Sequence, residues 1–134
     1  MDSLGRTLPS LAWLGLIALN GFVAPDARGQ QTAPGKNALY VLTHVDIIGG
    51  AANLPNAIAL MQQYAADSLK EPGAVRVEVL QQDNRRNHFM IFEVWQTRKA
   101  FEAHWVGETA KHFREKAFPM LGSPFDERLN ELVE

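Results

Sequence analysis

The sequence contains no cysteine, carries little net charge and has no apolar run long enough to span a bilayer. Without cysteine there are no disulfides, thiolate metal ligands or cysteine nucleophiles. A formal net charge of −2 argues against nucleic-acid binding as the main task, because phosphate neutralisation needs a basic surface. A spanning helix needs about 20 apolar residues, and no stretch reaches that length. The 134 residues fit one ordinary globular domain.

The first 29 residues differ from the remainder of the chain. Residues 11–24 (LAWLGLIALNGFVA) form an uncharged run that follows Arg6 and precedes several small residues. This is the layout of a secretory signal peptide, with cleavage after Gly29 or after Ala27; an uncleaved anchor and a buried N-terminal helix remain as alternatives. We therefore assign residues 1–29 to a cleaved signal peptide, 30–37 to a flexible lead-in and 38–134 to the domain. The expected location is periplasmic or secreted, without membrane attachment after cleavage.

The domain alternates between segments with the sequence pattern of strands and segments with the pattern of helices. Residues 39–47, 74–80 and 88–95 are rich in β-branched and aromatic residues and predict strands, and the tail at 126–133 favours a fourth. Apolar residues recur at helical spacing from Asn53 to the Pro-Gly pair at 72–73, and Thr97 can cap a further helix that Gly107 weakens. The order β-α-β-β-α-β predicts an α+β, ferredoxin-like fold, in which helices cover one face of a four-stranded antiparallel sheet.

The uncovered face of this sheet needs a partner. Alternation predicts that Val75, Val77 and Val79 lie on one face, which is too apolar to contact water. A second copy of the chain is the simplest cover, because a twofold axis lets one patch bury itself. We therefore expect a homodimer.

Three segments resemble a known family. They are the Glu-Pro-Gly turn at 71–73, the strand NHFMIFEVW at 87–95 and the helix segment AFEAHW at 100–105, and the tail at 119–129 is also similar. Together they resemble the antibiotic biosynthesis monooxygenase domain, and within it the small quinol-monooxygenase-like proteins. The resemblance implies a dimeric α+β barrel. It also implies oxidation of quinols, anthrones or related phenols by O₂, without metal, flavin or other cofactor.

Histidine and glutamate supply the candidate catalytic groups, because such oxidation needs a base that forms the electron-rich anion. His104 is the first candidate, since it shares a helix face with Phe101 and matches the histidine of the family's helix. His44, on the first strand, is the second. Glu93 is the third, because a carboxyl group inside an apolar strand must be paired or protonated. Structural roles remain as alternatives for all three, including an ion pair between Glu93 and Arg76.

Aromatic side chains supply the candidate binding surface. A flat phenolic substrate needs an apolar wall and at least one polar contact, although aromatic residues at helical spacing also build ordinary cores. The predicted substrate-binding residues are Trp95, Phe101, Trp105, Tyr64, Phe92 and Arg76.

Neither a metal nor haem is predicted. The four histidines form no compact ligand set. Haem-degrading relatives carry Asn, Trp and a ligating His at positions that correspond to His44, His104 and Arg114 here, so haem degradation is not expected. The predicted function is an exported monooxygenase acting on a quinol-like or polyphenolic substrate. A non-catalytic periplasmic dimer that binds a small aromatic ligand is the alternative, and an isomerase or lyase-like enzyme is a third.

Overall fold

The computed structural model describes residues 33–49 and 52–133. The predicted signal peptide lies outside these residues, as does the first part of the lead-in, and both stay predictions. In the described ranges no helix combines the length and the apolar character needed to cross a membrane.

The elements follow the predicted order, with the second helical region divided in two. Their bounds are β1 Leu39–Asp46, α1 Asn53–Ser68, β2 Ala74–Gln81, β3 His88–Trp95, α2 Arg98–Trp105, α3 Glu108–Ala117, a 3₁₀ turn Phe118–Met120 and β4 Asp126–Asn130. The strands form one antiparallel sheet in the order β2-β3-β1-β4, so the two most apolar strands are central. The predicted ferredoxin-like α+β fold is confirmed.

Local chemistry explains where the helices begin and end. The Thr97 hydroxyl accepts a hydrogen bond from the Ala100 backbone N–H at 3.1 Å and caps α2. Gly107 separates α2 from α3, as predicted. Helix α1 begins at Asn53 but ends at Ser68, before the predicted Pro-Gly stop, and the chain continues through turns. Leu69, which follows the last helical residue, is therefore 43% exposed.

A β-bulge corrects the predicted face of β2. Ala74 pairs with Trp95, whereas Arg76 pairs with the preceding residue of β3, so Val75 is the extra residue. Val77 and Val79 therefore pack against the helices, while Val75 packs on the other side with Val94. The prediction that Val75, Val77 and Val79 share one face is wrong, because an inserted residue reverses the alternation.

The sheet face away from the helices is apolar at its centre and carries charged residues on its edge strands. We call it the open face; its apolar members are Tyr40, Leu42, Val75, Leu80, Met90, Phe92 and Val94. The main core lies on the other side, where β1, β2 and β3 pack against α1 and α3. A smaller cluster at the end of the sheet joins Leu39, Val41, Trp95 and Phe101. The two sides of the sheet therefore differ in cover, and the candidate site lies on the covered side.

Candidate active site

Four side chains from four elements form a continuous hydrogen-bonded row under the helices. Glu71 Oε2 lies 2.8 Å from His104 Nδ1, and His104 Nε2 lies 2.8 Å from the Tyr64 hydroxyl. The Tyr64 hydroxyl lies 2.6 Å from Glu93 Oε1. We call Glu71, His104, Tyr64 and Glu93 the buried network. Its residues come from the turn after α1, from α2, from α1 and from β3, so only the folded chain brings them together.

The hydroxyl proton of Tyr64 can serve only one of its two neighbours. If it is donated to the Glu93 carboxylate, then His104 must donate Nε2–H to the Tyr64 oxygen. If Glu93 is protonated and donates to Tyr64, then Tyr64 donates to His104. Both arrangements hold the same number of protons. The network can therefore pass one proton between His104 and Glu93 through the Tyr64 hydroxyl.

Burial controls the charge at the inner end of the network. Glu93 is 2% exposed, and this burial raises the pKa of its carboxyl group, although the Tyr64 hydrogen bond and the His104 charge oppose the shift. Burial, together with the nearby Glu93, also raises the pKa of Tyr64. The Glu71 side chain, by contrast, is 24% exposed. The row thus runs from water at Glu71 to a dry carboxyl group at Glu93.

Aromatic stacking fixes the imidazole of His104 in place. The Trp95 ring lies 4.5 Å from it between centroids and is nearly parallel to it, and Trp95 itself is fully buried. Phe101 packs against both rings at 6.3 Å. Trp95, Phe101 and His104 are therefore packing partners. The two aromatic residues shape the site through His104, because their contacts are with the imidazole.

A small cavity lies beside the network, between the sheet and the helices. Its volume is about 10 Å³, roughly the space that one water molecule needs. We call it the inner cavity; its lining includes Thr43, Tyr64, Ile91, Trp105, Arg114, Phe125 and Glu127. Of the buried network, Tyr64 borders this cavity. His104 is bonded at both ring nitrogens and lies behind Tyr64, so it can act on a molecule in the cavity only through the tyrosine.

Glu127 places a second carboxyl group at the inner cavity. It is half-buried on β4, and its neighbour across the ladder is Thr43. Burial and the charge of Glu93 raise the pKa of Glu127 to about 7, against a smaller opposing effect of Arg114. A carboxyl group with this pKa exchanges protons near neutral pH, which suits a general base or acid.

Three predicted site residues lie on the open face instead. His44 Nδ1 is 3.2 Å from His88 Nε2, and His88 Nδ1 is 2.8 Å from Asp46, whose pKa this hydrogen bond lowers. His88 is therefore half-buried and paired. Phe92 and Arg76 form a cation–π contact at 5.3 Å. The sheet separates all of them from His104, because cross-strand partners share a face.

The alternative ion pair between Glu93 and Arg76 is wrong. Arg76 pairs with Glu78 at 2.9 Å, and the bulge places it on the face opposite to Glu93. Glu93 bonds Tyr64 instead. In the described part of the chain, no three acidic or histidine side chains are arranged to hold a metal ion.

The sequence reasoning missed Glu71, Thr43 and Glu127 as site residues, and it considered Arg114 only as a departure from the haem-degrading pattern. Glu71 had a signal, because it opens the Glu-Pro-Gly turn. Glu127 had a weaker signal. It lies between two other charged residues on a strand whose register no local pattern specifies. Long-range pairing places it beside Thr43.

Comparison with known proteins agrees with this architecture. Residues 51–116 match the family model described as Antibiotic biosynthesis monooxygenase. An uncharacterized Synechocystis protein is 30% identical over 77 residues, which are 58% of this chain; the chain thus spans about half (52%) of the length of that curated relative.

Solved structures share the fold at low sequence identity. A Nitrosomonas europaea protein of the same family name has a TM-score of 0.67 at 16% identity, covering 74% of this chain and 93% of its own. A conserved protein of unknown function from Bacteroides thetaiotaomicron has a TM-score of 0.65 at 21% identity, covering 73% of this chain and all (100%) of its own. These likenesses show the fold alone. The family match over residues 51–116 shows that this part of the chain is a domain of the antibiotic biosynthesis monooxygenase family, and the solved structures agree with its fold.

Proposed function

We propose that the protein is an exported, cofactor-independent monooxygenase that oxidises a quinol-like or polyphenolic molecule with O₂. The observation that carries the proposal is the meeting of Glu127 and Tyr64 at one apolar cavity on the covered side of the sheet. Glu127 exchanges protons near neutral pH, and Tyr64 belongs to a hydrogen-bonded row that reaches water at Glu71. The family match supports the monooxygenase class. The signal-peptide pattern of residues 1–29 supports export.

The reaction needs only a base, a hydrogen-bond donor and a site that excludes water. For an anthrone, removal of one proton from the ring methylene gives an electron-rich anion, which transfers one electron to O₂. The resulting radical and superoxide combine to form a carbon–oxygen bond, and a proton completes the hydroperoxide. Loss of water from this hydroperoxide leaves a carbonyl group. One oxygen atom ends in the product and the other in water, and the methylene supplies all the electrons.

The position of each residue indicates its role in this reaction. Glu127 takes the substrate proton, because it borders the inner cavity in a form that ionises near neutrality. When Glu93 and His104 both donate to the Tyr64 oxygen, its hydroxyl proton is free, and Tyr64 donates it to the developing oxyanion or peroxide. His104, Glu93 and Glu71 are positioning residues that set the proton of Tyr64. Trp95 holds the imidazole in place by stacking.

Oxygen uptake with an anthrone or menadiol tests this proposal. We expect purified wild-type protein to consume O₂ faster than the buffer background. The rate should rise with pH around a midpoint of about 7, because the base must be ionised. Glu127→Gln should lower the rate by about 100-fold and remove this midpoint. Glu115→Gln, on the exposed side of α3, is the matched control and should behave as wild type.

The non-catalytic alternative has a different signature. If every variant consumes O₂ only at the background rate while an aromatic ligand still raises the Tm, then the protein is a binding module and the monooxygenase proposal fails.

We also propose that the open face forms a homodimer. Leu42 and Phe92 are only partly covered in one chain, and Leu80, which is 45% exposed, extends the same apolar surface. Burying a self-complementary patch against a second copy removes it from water.

Wild-type protein should sediment as a dimer at micromolar concentration, and Leu42→Arg should sediment as a monomer. Gln62→Arg, on the exposed side of α1, should stay dimeric; a monomeric wild type would disprove the dimer.

A further inference from the structure

Arg114 carries a guanidinium group whose donors the protein leaves unused. Its Nη1 atom is buried and has no hydrogen-bond partner among the described residues. In the same part of the chain, no carboxylate lies within ion-pair distance of it. A buried donor without an acceptor is costly, so such groups usually have an unaccounted partner.

A cation–π contact holds this guanidinium against Trp105. Its central carbon lies over the Trp105 ring, 4.2 Å from the centroid. Such a contact uses the charge of the guanidinium and leaves its N–H groups free to donate. Arg114 is therefore held in place for an acceptor before any ligand is bound.

Two cavities meet at Arg114. The inner cavity lies on one side, and an open groove of about 500 Å³ lies on the other; Arg114 and Phe125 line both. We call this second space the outer groove. Phe118, Leu121 and Pro124 complete its apolar wall, and Phe118 is 77% exposed. The outer groove has the size of a small-molecule site, whereas the inner cavity has room for a water or a diatomic gas.

We propose that the outer groove binds a planar aromatic ligand that carries an anionic oxygen, which Arg114 engages. The aromatic rings lie against Phe118, Leu121 and Pro124, and the oxygen accepts in-plane hydrogen bonds from the guanidinium. This inference rests on the proposed function, and it specifies the class of substrate that the proposed reaction uses. The substrate is anionic, and its oxygen lies at the partition between the two cavities. The ring edge beside that oxygen therefore faces the inner cavity, where Glu127 and Tyr64 lie.

Isosteric ligands test the charge requirement directly. The probes are 2-naphthoate, which is anionic, and 2-naphthamide, which has the same shape and no charge. By calorimetry, wild-type protein should bind naphthoate at least about 10-fold more tightly than naphthamide, because the hydrogen bonds are charge-assisted. Arg114→Met should lose this preference while it still binds naphthamide, and Arg114→Lys should keep part of it.

A second basic cavity provides the matched control. It has a volume of about 200 Å³ and is lined by Lys36, Arg98 and Glu131. Arg98→Met should leave the preference for naphthoate intact. If Arg98→Met abolishes the preference, or if Arg114→Met retains it, then the assignment of the anion to Arg114 is wrong. Equal binding of both probes by wild-type protein would also overturn it.

The oxygen-uptake assay separates this inference from the proposed function. If the protein prefers naphthoate through Arg114 but consumes no O₂, then the binding site is supported and the monooxygenase proposal fails. If Arg114→Met consumes O₂ with an unchanged KM, then the monooxygenase proposal is supported and the binding site at Arg114 is wrong.

Discussion

Replacing Tyr64 with phenylalanine is expected to lower the rate of O₂ uptake by about 100-fold or more. The change removes one hydroxyl group and keeps the ring that stacks on Phe113 at 4.4 Å, so the packing of α1 is preserved. It removes the donor at the inner cavity and separates His104 from Glu93, which can then no longer exchange a proton. Two buried polar groups lose a partner, and the free energy of unfolding should fall by about 1–3 kcal/mol.

The matched control for this variant is Tyr40→Phe. Tyr40 lies on β1 but on the open face, away from the buried network. Its variant should keep the wild-type rate and stability, which separates the loss of a particular hydroxyl from the loss of any tyrosine. A Tyr64→Phe protein with a rate within about threefold of wild type would show that the network takes no part in turnover.

The second large effect concerns Gly73, in the turn that carries Glu71. Gly73 has a φ of +86°, and a methyl group built on it would lie 2.5 Å from the Cβ atom of Ala100. Gly73→Ala should therefore lower the free energy of unfolding by about 2–5 kcal/mol, the sum of a left-handed backbone penalty and the overlap with α2. Denaturation by urea measures this loss.

The same substitution should also weaken the site. The turn is anchored by the hydrogen bond from the Gln96 backbone N–H to the Gly73 carbonyl oxygen at 2.8 Å, and Glu71 bonds His104 on α2. Pushing the turn away from α2 lengthens the contact between Glu71 and His104. We expect a lower kcat for O₂ uptake, even under conditions in which the variant is fully folded.

Two further variants separate the causes of the instability. Gly73→Ala combined with Ala100→Gly removes the overlap and should recover about 1–3 kcal/mol beyond additivity, leaving the backbone penalty. Gly35→Ala should be nearly neutral, because no atom of the described residues lies within 4 Å of the added methyl group. A Gly73→Ala protein as stable as wild type would contradict the close approach of the turn and α2.

Much of the architecture was predictable because its signals are local. The run of apolar and aromatic residues in β3 and the cap at Thr97 depend on residues within a few positions of each other, and both elements are found as predicted. The face of β2 was not predictable in the same way. One inserted residue, Val75, reverses the alternation without leaving a pattern in the sequence.

In the candidate site, too, local features were predictable and long-range contacts were not. His104, Glu93 and Tyr64 were recognisable singly, because a polar group in an apolar setting needs a partner. The sequence could not pair them, since the residues that bond Tyr64 are 29 and 40 positions away from it. His44 and Phe92 looked equally suitable, and only the sheet decided that they face the other way.

The sequence by itself therefore determined the order of strands and helices, the family and the residue types available for acid–base chemistry. The tertiary structure alone decided that Glu71, His104, Tyr64 and Glu93 form one hydrogen-bonded row, and that Glu127 and Arg114 border the cavity beside it. The physical reason is that periodicity encodes which side of its own element a residue occupies. Which elements face each other depends on strand register and packing across the whole chain.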